Sequence, residues 1–242
     1  SYPLVLYGVS NNVSISDLFL AGIGPALLVG FLLILVNCLI SRKFGWKGSG
    51  EKLSFRRFLL AMKDGIWALF MPVIILGGIY GGFFTATEAA VIGTVYSLMI
   101  GIFVYKELTL KKIWDMFFDT TAAMGGMNYT MAVTGALSAV FVYHGFGEVV
   151  QNFFYGISTN PTIVMCMIFV LLFIAGMFVQ TTPIMVILSP ILLQVVQPLG
   201  VSPIQFGLVM LLSLCIAFVT PPVASNLFVA QSMSGLDVVG IT

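Results

Sequence analysis

Residues 162–196 read TIVMCMIFVLLFIAGMFVQTTPIMVILSPILLQVV. Thr162 to Val179 is apolar and uncharged, Gln180-Thr181-Thr182-Pro183 interrupts it, and Ile184 to Val196 resumes the apolar run. A polar interruption in the middle of an apolar stretch, rather than at its end, predicts two half-length helices joined by a polar tip. The pattern recurs after Gly200-Val201-Ser202-Pro203: Ile204 to Val219 is apolar, Thr220-Pro221-Pro222 breaks it, and the run resumes through Ala224 to Gln231. Consecutive prolines remove two backbone donors and clash with the preceding turn, so no unbroken helix is expected there.

The rest of the chain identifies the solvent for such helices. Of the 242 residues, 60% are apolar and 8% charged, against roughly a quarter charged in soluble domains. Several stretches reach the ~20 apolar residues that cross about 30 Å of hydrocarbon, without the short alternating segments of a transmembrane barrel. The expected class is all-α, a polytopic bundle embedded in a lipid bilayer. All ten Lys and Arg residues fall between Arg42 and Lys112. Arg42, Lys43, Lys47, Lys52, Arg56 and Arg57 share one polar loop, and Lys106, Lys111 and Lys112 another; the positive-inside rule assigns both to the cytoplasm. Charge confined in this way argues against nucleic acid as a partner. Cys38, Cys166 and Cys215 sit singly in apolar stretches with no CxxC and no nearby His. They are read as small hydrophobes rather than a metal or redox pair. The chain starts at Ser1 with neither an initiator Met nor a basic n-region. It is therefore not read as opening on a signal peptide, and is expected to be a piece of a longer protein.

Four spans are expected ahead of the interruptions: about Leu18–Ile40, Arg57–Leu76, Thr85–Tyr105, and a long glycine-dotted one from Ile113 to Tyr143. An amphipathic piece around Phe146 to Tyr155 is expected at the interface. Gly77, Gly78, Gly81 and Gly82 are expected to allow the tight turn between the second and third spans. An internal correspondence adds to this. Ser1-Tyr2-Pro3-Leu4-Val5-Leu6, running to Ser14-Ile15-Ser16-Asp17-Leu18, parallels Val223-Ala224-Ser225-Asn226-Leu227-Phe228, running to Ser234-Gly235-Leu236-Asp237-Val238. Repeats of this kind are common in transporters, and the parallel would make Ser1 the start of the second half of an earlier broken helix.

Neither interruption holds a formal charge; between Asp119 and Asp237 only Glu148 carries one. Proton-coupled carriers commonly use intramembrane Asp, Glu or His, whereas a hard cation such as Na+ needs only oxygen ligands. A helix unwound in the membrane exposes carbonyls that have lost their donors, and helix C-terminal ends favour a cation. The candidate ligands are Gln180, Thr181 and Thr182 at the tip, with Gly176 one turn earlier giving close backbone access. At the break they are the carbonyls of Ala217, Thr220 and Val223 and the Thr220 hydroxyl. The N-terminal ends of the resumed helices, near Ile184 and Ser225, would present donors to an anionic substrate. The plainer alternative is that Thr and Pro only kink two helices whose freed groups pair with neighbours.

Other polar residues are read structurally. His144, the only histidine, has no partner spacing for a metal or a nucleophile and is expected to make an interfacial hydrogen bond. Lys63-Asp64 lies near the inner end of a span, where snorkelling accounts for it. Glu88 suits the positive end of a helix that Thr85 or Thr87 would cap. Asn12-Val13-Ser14 fits a glycosylation sequon of little specificity.

With these residues in place, the chain resembles the large membrane subunit of tripartite ATP-independent periplasmic transporters of the sialic-acid and C4-dicarboxylate type, in its C-terminal half. The likeness is carried by Gly77-Gly78-Ile79-Tyr80-Gly81-Gly82-Phe83-Phe84-Thr85-Ala86-Thr87-Glu88-Ala89-Ala90 and by Gly176-Met177-Phe178-Val179-Gln180-Thr181-Thr182-Pro183. The latter continues through Leu188-Ser189-Pro190-Ile191-Leu192-Leu193 to Gly200-Val201-Ser202-Pro203; Thr220-Pro221-Pro222-Val223 and Asn226-Leu227-Phe228-Val229-Ala230 complete it. The family usually has proline where this chain has Ala86, and often an acid where it has Gln180.

The resemblance implies an elevator-type secondary transporter of the bacterial inner membrane, not an enzyme, with inverted repeats, a re-entrant hairpin and broken helices. Its parts would be residues 1–17, the end of a first-repeat broken helix, and 18–112, scaffold spans with basic loops. A transport core, 113–242, would hold the hairpin over about 162–197 and the broken helix over about 204–231. It also implies a small membrane subunit of the Q type, a periplasmic substrate-binding protein of the P type, and an organic-anion substrate. One Na+ would be held by positions matching Gly176, Ala217, Thr220 and Val223, with Gln180 and Thr182 beside it, and Ser1, Thr181 and Ser225 near the substrate. The rival expectations are a membrane-embedded assembly subunit and a channel.

Overall fold

The computed structural model describes residues 2–45, 54–221, 226–227 and 231. Among them every regular element is helical. α1 is Tyr2–Asn11, α2 Ile15–Phe44 and α3 Phe55–Tyr80; α4, Ala86–Met99, is continued by a π-helical turn, Ile100–Val104. α5 is Leu110–Tyr143, α6 Phe146–Ile157, α7 Pro161–Phe178, α8 Thr181–Val196 and α9 Pro203–Ala217. Among the described residues α2, α4 with its π-turn, α7, and α8 with the 3-10 turn after it are long and apolar enough to cross a membrane, six spans in all if each bent helix pair counts as one. No residue of the apolar stretch of α2 is buried, with Leu27 70% and Ile34 67% accessible. In water each Å² of such a surface would forgo about 25 cal/mol; in hydrocarbon it forgoes nothing. The chain is an all-α, multi-pass membrane protein.

The residues form two compact units, Gly22–Ala122 and Ser1–Ala21 with Ala123–Thr242. In the first, α3 and α4 pair antiparallel. The turn lies at Gly81-Gly82, with Gly82 at φ +70, whereas Gly77 and Gly78 remain inside α3, against the expectation that all four glycines turn. Gly78 has a different use: the Phe84 ring occupies the space a Cβ would need. The expected cap of α4 is present as a reciprocal box. Thr85 N–H donates to Glu88 Oε2 at 2.8 Å and Glu88 N–H to Thr85 Oγ1 at 3.3 Å.

The second unit is built on α8, against which α1, α6, α7 and α9 all pack. Tyr7, Leu18, Phe154, Ile168, Met185 and Phe206 are fully buried in its core. The Tyr7 hydroxyl donates to Pro203 O at 2.7 Å, and its ring lies on Gly207, where any Cβ would collide with it. α6 turns 68° from α5 at Gly145, which has φ +67. His144 Nδ1 meets Val140 O at 3.0 Å; a carbonyl only accepts, so the ring nitrogen donates and helps close α5. The two hairpin arms differ from expectation in length. At 18 and 16 residues they extend about 27 and 24 Å, close to a full span rather than half of one.

Candidate functional site at the two helix breaks

α7 stops because Val179 (φ −124, ψ 144) and Gln180 (φ −62, ψ 151) are extended. Val179 N–H closes the last turn on Ala175 O at 3.0 Å. Among the described residues the carbonyls of Gly176, Met177 and Phe178 accept no backbone hydrogen bond. α8 then begins at Thr181, three residues before the expected Ile184. Gln180 takes the N-cap position, and Pro183 falls in the first turn, where a missing N–H costs no intrahelical bond. The tip is therefore Val179-Gln180 alone, with Thr181 and Thr182 already helical. Gln180 is exposed, Thr182 half-buried and Thr181 buried. Among the described residues none of their three side chains has a hydrogen-bond partner. Acceptors ending α7 and donors opening α8 thus adjoin, each with its partial helix charge.

α9 ends at Ala217, two residues before the expected Val219, and the prolines explain where. Pro221 has no N–H to give Ala217 O and disfavours helical geometry at Thr220. Thr220 N–H takes Ala217 O instead, at 3.0 Å. The Thr220 hydroxyl donates to Ile216 O at 2.9 Å. Its proton is thereby turned back into the helix, and the oxygen lone pairs remain available. A carbonyl also has two lone pairs, so Ala217 O keeps one.

Gly176 brings the two breaks together. A Cβ at Gly176 would lie 2.7 Å from Ala217 Cβ and 3.0 Å from Leu214 Cδ2, so the last turn of α7 lies against the last turn of α9 only because residue 176 is glycine. Gly176 and Ala217 are in contact, and Thr220 is tied to Ala217 by its N–H. Thr181 and Thr182 make no hydrogen bond to α9 among the described residues. Ser1, Val223 and Ser225 lie outside the described residues. Among the described residues the oxygens at the two breaks are neutral, the kind of ligand a hard cation accepts.

The braces of α8 escaped sequence reading. Pro190 lies inside α8, so Val186 O lacks its helical donor, and the Ser138 hydroxyl of α5 supplies one at 3.1 Å. Asn11 Nδ2 donates to Ser189 Oγ at 2.8 Å and to Tyr7 O at 2.9 Å. The Tyr155 hydroxyl reaches Val195 O at 2.8 Å. The one available signal was Pro190, which marks Val186 O as short of a donor without saying which helix supplies it.

The sequence matches, over residues 1–242, the family described as tripartite ATP-independent periplasmic transporter, DctM component. It is 38% identical over 238 residues to the isethionate TRAP transporter permease protein DctMQ of Oleidesulfovibrio alaskensis, covering 98% of this chain and 38% of that protein. It is 34% identical to the sialic acid TRAP transporter large permease protein SiaM of Vibrio cholerae, covering 98% of this chain and 55% of that one. With the C4-dicarboxylate TRAP transporter large permease protein DctM of Pseudomonas aeruginosa it shares 30% identity, at the same two coverages, 98% and 55%. The chain spans about half the length of these two large permeases; its assignment to their C-terminal half stays an expectation of the sequence. An all-α membrane chain whose full length fits one description has a plain assignment: it belongs to the DctM component family of tripartite ATP-independent periplasmic transporters.

Proposed function

We propose that the chain is the part of a large permease subunit that couples Na+ to the import of an organic anion. The observation that carries this reading is the contact of Gly176 with Ala217, to whose carbonyl Thr220 N–H is bonded, which joins two helix breaks lacking any formal charge. Na+ enters as a co-transported substrate. Gly176 O, Ala217 O and the Thr220 hydroxyl would hold it, with Gln180 and Thr182 at the tip and Val223 completing the set. The N-terminal end of α8 at Thr181, with Ser1 and Ser225, would face the anion. The three relatives are named for isethionate, sialic acid and a C4-dicarboxylate, each an organic acid, which supports an anionic substrate class. The tripartite family description and the fused DctMQ relative support a small Q-type membrane subunit and a P-type periplasmic binding protein as partners, in the bacterial inner membrane. Residues 18–112 would form scaffold and 113–242 the moving core of an elevator, with residues 1–17 ending the first repeat's broken helix.

The test is uptake into proteoliposomes by the complete transporter with its binding protein. Uptake of the anion should require a Na+ gradient, and Thr220→Ala and Thr182→Ala should each raise the Na+ concentration for half-maximal uptake by about tenfold, or ~1.4 kcal/mol. Transport indifferent to Na+ and to both substitutions would overturn the proposal. Flux that neither saturates nor accumulates would identify a channel instead.

A further inference from the structure

The α3–α4 pair carries a groove of about 180 Å³, lined by Trp67, Ala68 and Met71 of α3 and by Tyr96, Ile100 and Tyr105 on and after α4. Its origin is local. In the π-turn, Tyr105 N–H reaches Ile100 O at 2.9 Å, and Glu107 and Leu108 N–H fold back on Gly101 O at 3.1 and 3.3 Å. That fold places Leu108 where a Cβ on Gly101 would sit and turns Tyr105 to the groove's edge. The Tyr96 hydroxyl donates to Trp67 O at 2.8 Å, which sets its ring along the groove. A π-turn inside a helix often marks a functional site, and Trp and Tyr are the side chains that sit at headgroup level.

Cations frame the same end. Because α3 and α4 run antiparallel, the turn of α3 at Trp67 lies beside the end of α4, and the bent first segment of α3 leads into it. Lys63 stands four residues before Trp67, Lys106 directly follows Tyr105, and Arg56 lies in the first turn of α3. Residues 55–63 form a helical segment bent 63° from residues 65–80. At 100° per residue, Phe55, Phe58, Leu59 and Met62 share one side of it and Arg56 and Lys63 lie off that side. Phe55 and Phe58 are 74% and 58% exposed. A segment of this pattern lies along the boundary between headgroups and acyl chains. From Arg42 to Lys112 there are ten Lys and Arg against four acids, and one of those acids, Glu88, lies at the far end of α4. Among the described residues no acidic side chain lines the groove; Asp64 and Glu107 directly follow Lys63 and Lys106 in sequence.

We infer that this groove holds an acyl chain of an anionic phospholipid of the cytoplasmic leaflet, with the lipid phosphate set against Arg56, Lys63 and Lys106. Basic residues beside a span attract anionic lipid; the groove adds a fixed place for one molecule. The inference is independent of the ion site, because every side chain it uses for the groove and its rim lies between Phe55 and Leu108.

The complete transporter, stripped of lipid in detergent, is titrated with phosphatidylglycerol or with phosphatidylcholine of the same chains, and bound lipid is counted by native mass spectrometry. Phosphatidylglycerol should occupy one site at least about tenfold more tightly. The triple variant Arg56→Gln, Lys63→Gln, Lys106→Gln should bring the two lipids to equal affinity, whereas Ala68→Phe should weaken both by filling the groove. A readout needing no groove-filling variant uses phosphatidylglycerol brominated on its chains. It should quench the part of the emission that Trp67→Phe removes, and soluble glycerophosphate should neither quench nor compete. Equal binding of both lipids to the wild type, or unquenched Trp67 emission, would overturn the inference.

Discussion

Gly176 sets how near α7 comes to α9, and in the proposed site that distance decides whether oxygens from both breaks can meet one ion. Gly176→Ala would put a methyl group 2.7 Å from Ala217 Cβ, well inside contact distance, so one helix must move. The expected cost is about 1–3 kcal/mol of stability, typical of overpacking, together with a Na+ requirement raised about tenfold. Adding Ala217→Gly removes the opposing methyl and should recover most of both losses. Thermal unfolding and Na+ titration of uptake on the two variants check this. A Gly176→Ala protein with normal Na+ dependence would leave residue 176 a packing residue only. The residue types at the breaks were legible in the sequence, since uncharged Gln, Thr and Pro stand out in apolar runs. The pairing of Gly176 with Ala217 was not. Forty-one positions separate them, and no local rule fixes which turn of α9 a glycine on α7 will touch.

Among the elements, α8 shows how a broken backbone is repaired. Pro190 deprives Val186 O of its donor, and Ser138 of α5 supplies another at 3.1 Å. In hydrocarbon, where no water stands in, an unpaired carbonyl is costly, although measured side-chain bonds between membrane helices average only about 0.6 kcal/mol. Ser138→Ala should therefore destabilise by about 0.6 kcal/mol, and by close to nothing in a Pro190→Ala background, where the helical N–H returns. Unfolding by sodium dodecyl sulfate on the four proteins of this cycle measures the coupling; strictly additive effects would show that Ser138 does not serve Pro190. Helix positions were readable to within a few residues because apolar runs, prolines and glycines punctuate them. The start of α8 was misread because Thr181 and Thr182 look like loop residues. In a first turn their N–H groups need no helical partner, and Pro183 is tolerated beside them. Gly77 and Gly78 were misread for a related reason. Glycine permits a turn without requiring one, and here Gly78 makes room for the Phe84 ring.

For the molecule as a whole, charge fixes direction where packing cannot. An apolar helix gains as much crossing the bilayer one way as the other, so orientation must come from the loops. Here the cations cluster before α3 and after α4. α3 has 26 residues, but with residues 55–63 bent into the interface the remaining 65–80 extend about 24 Å, a little short of the ~30 Å of hydrocarbon. If the pair crosses, the Gly81–Phe83 turn emerges on the face opposite Arg57 and Lys106; Phe83 is 78% exposed. With Cys38, Cys166 and Cys215 replaced by Ser, a membrane-impermeant maleimide added to spheroplasts should label Phe83→Cys and spare Lys43→Cys and Lys106→Cys. Inverted membrane vesicles should give the reverse. Labelling of Lys106→Cys from outside would turn the α3–α4 pair over and with it the leaflet that supplies the lipid. Labelling of Phe83→Cys and Lys106→Cys from one face would mean that the pair dips into the bilayer without crossing it.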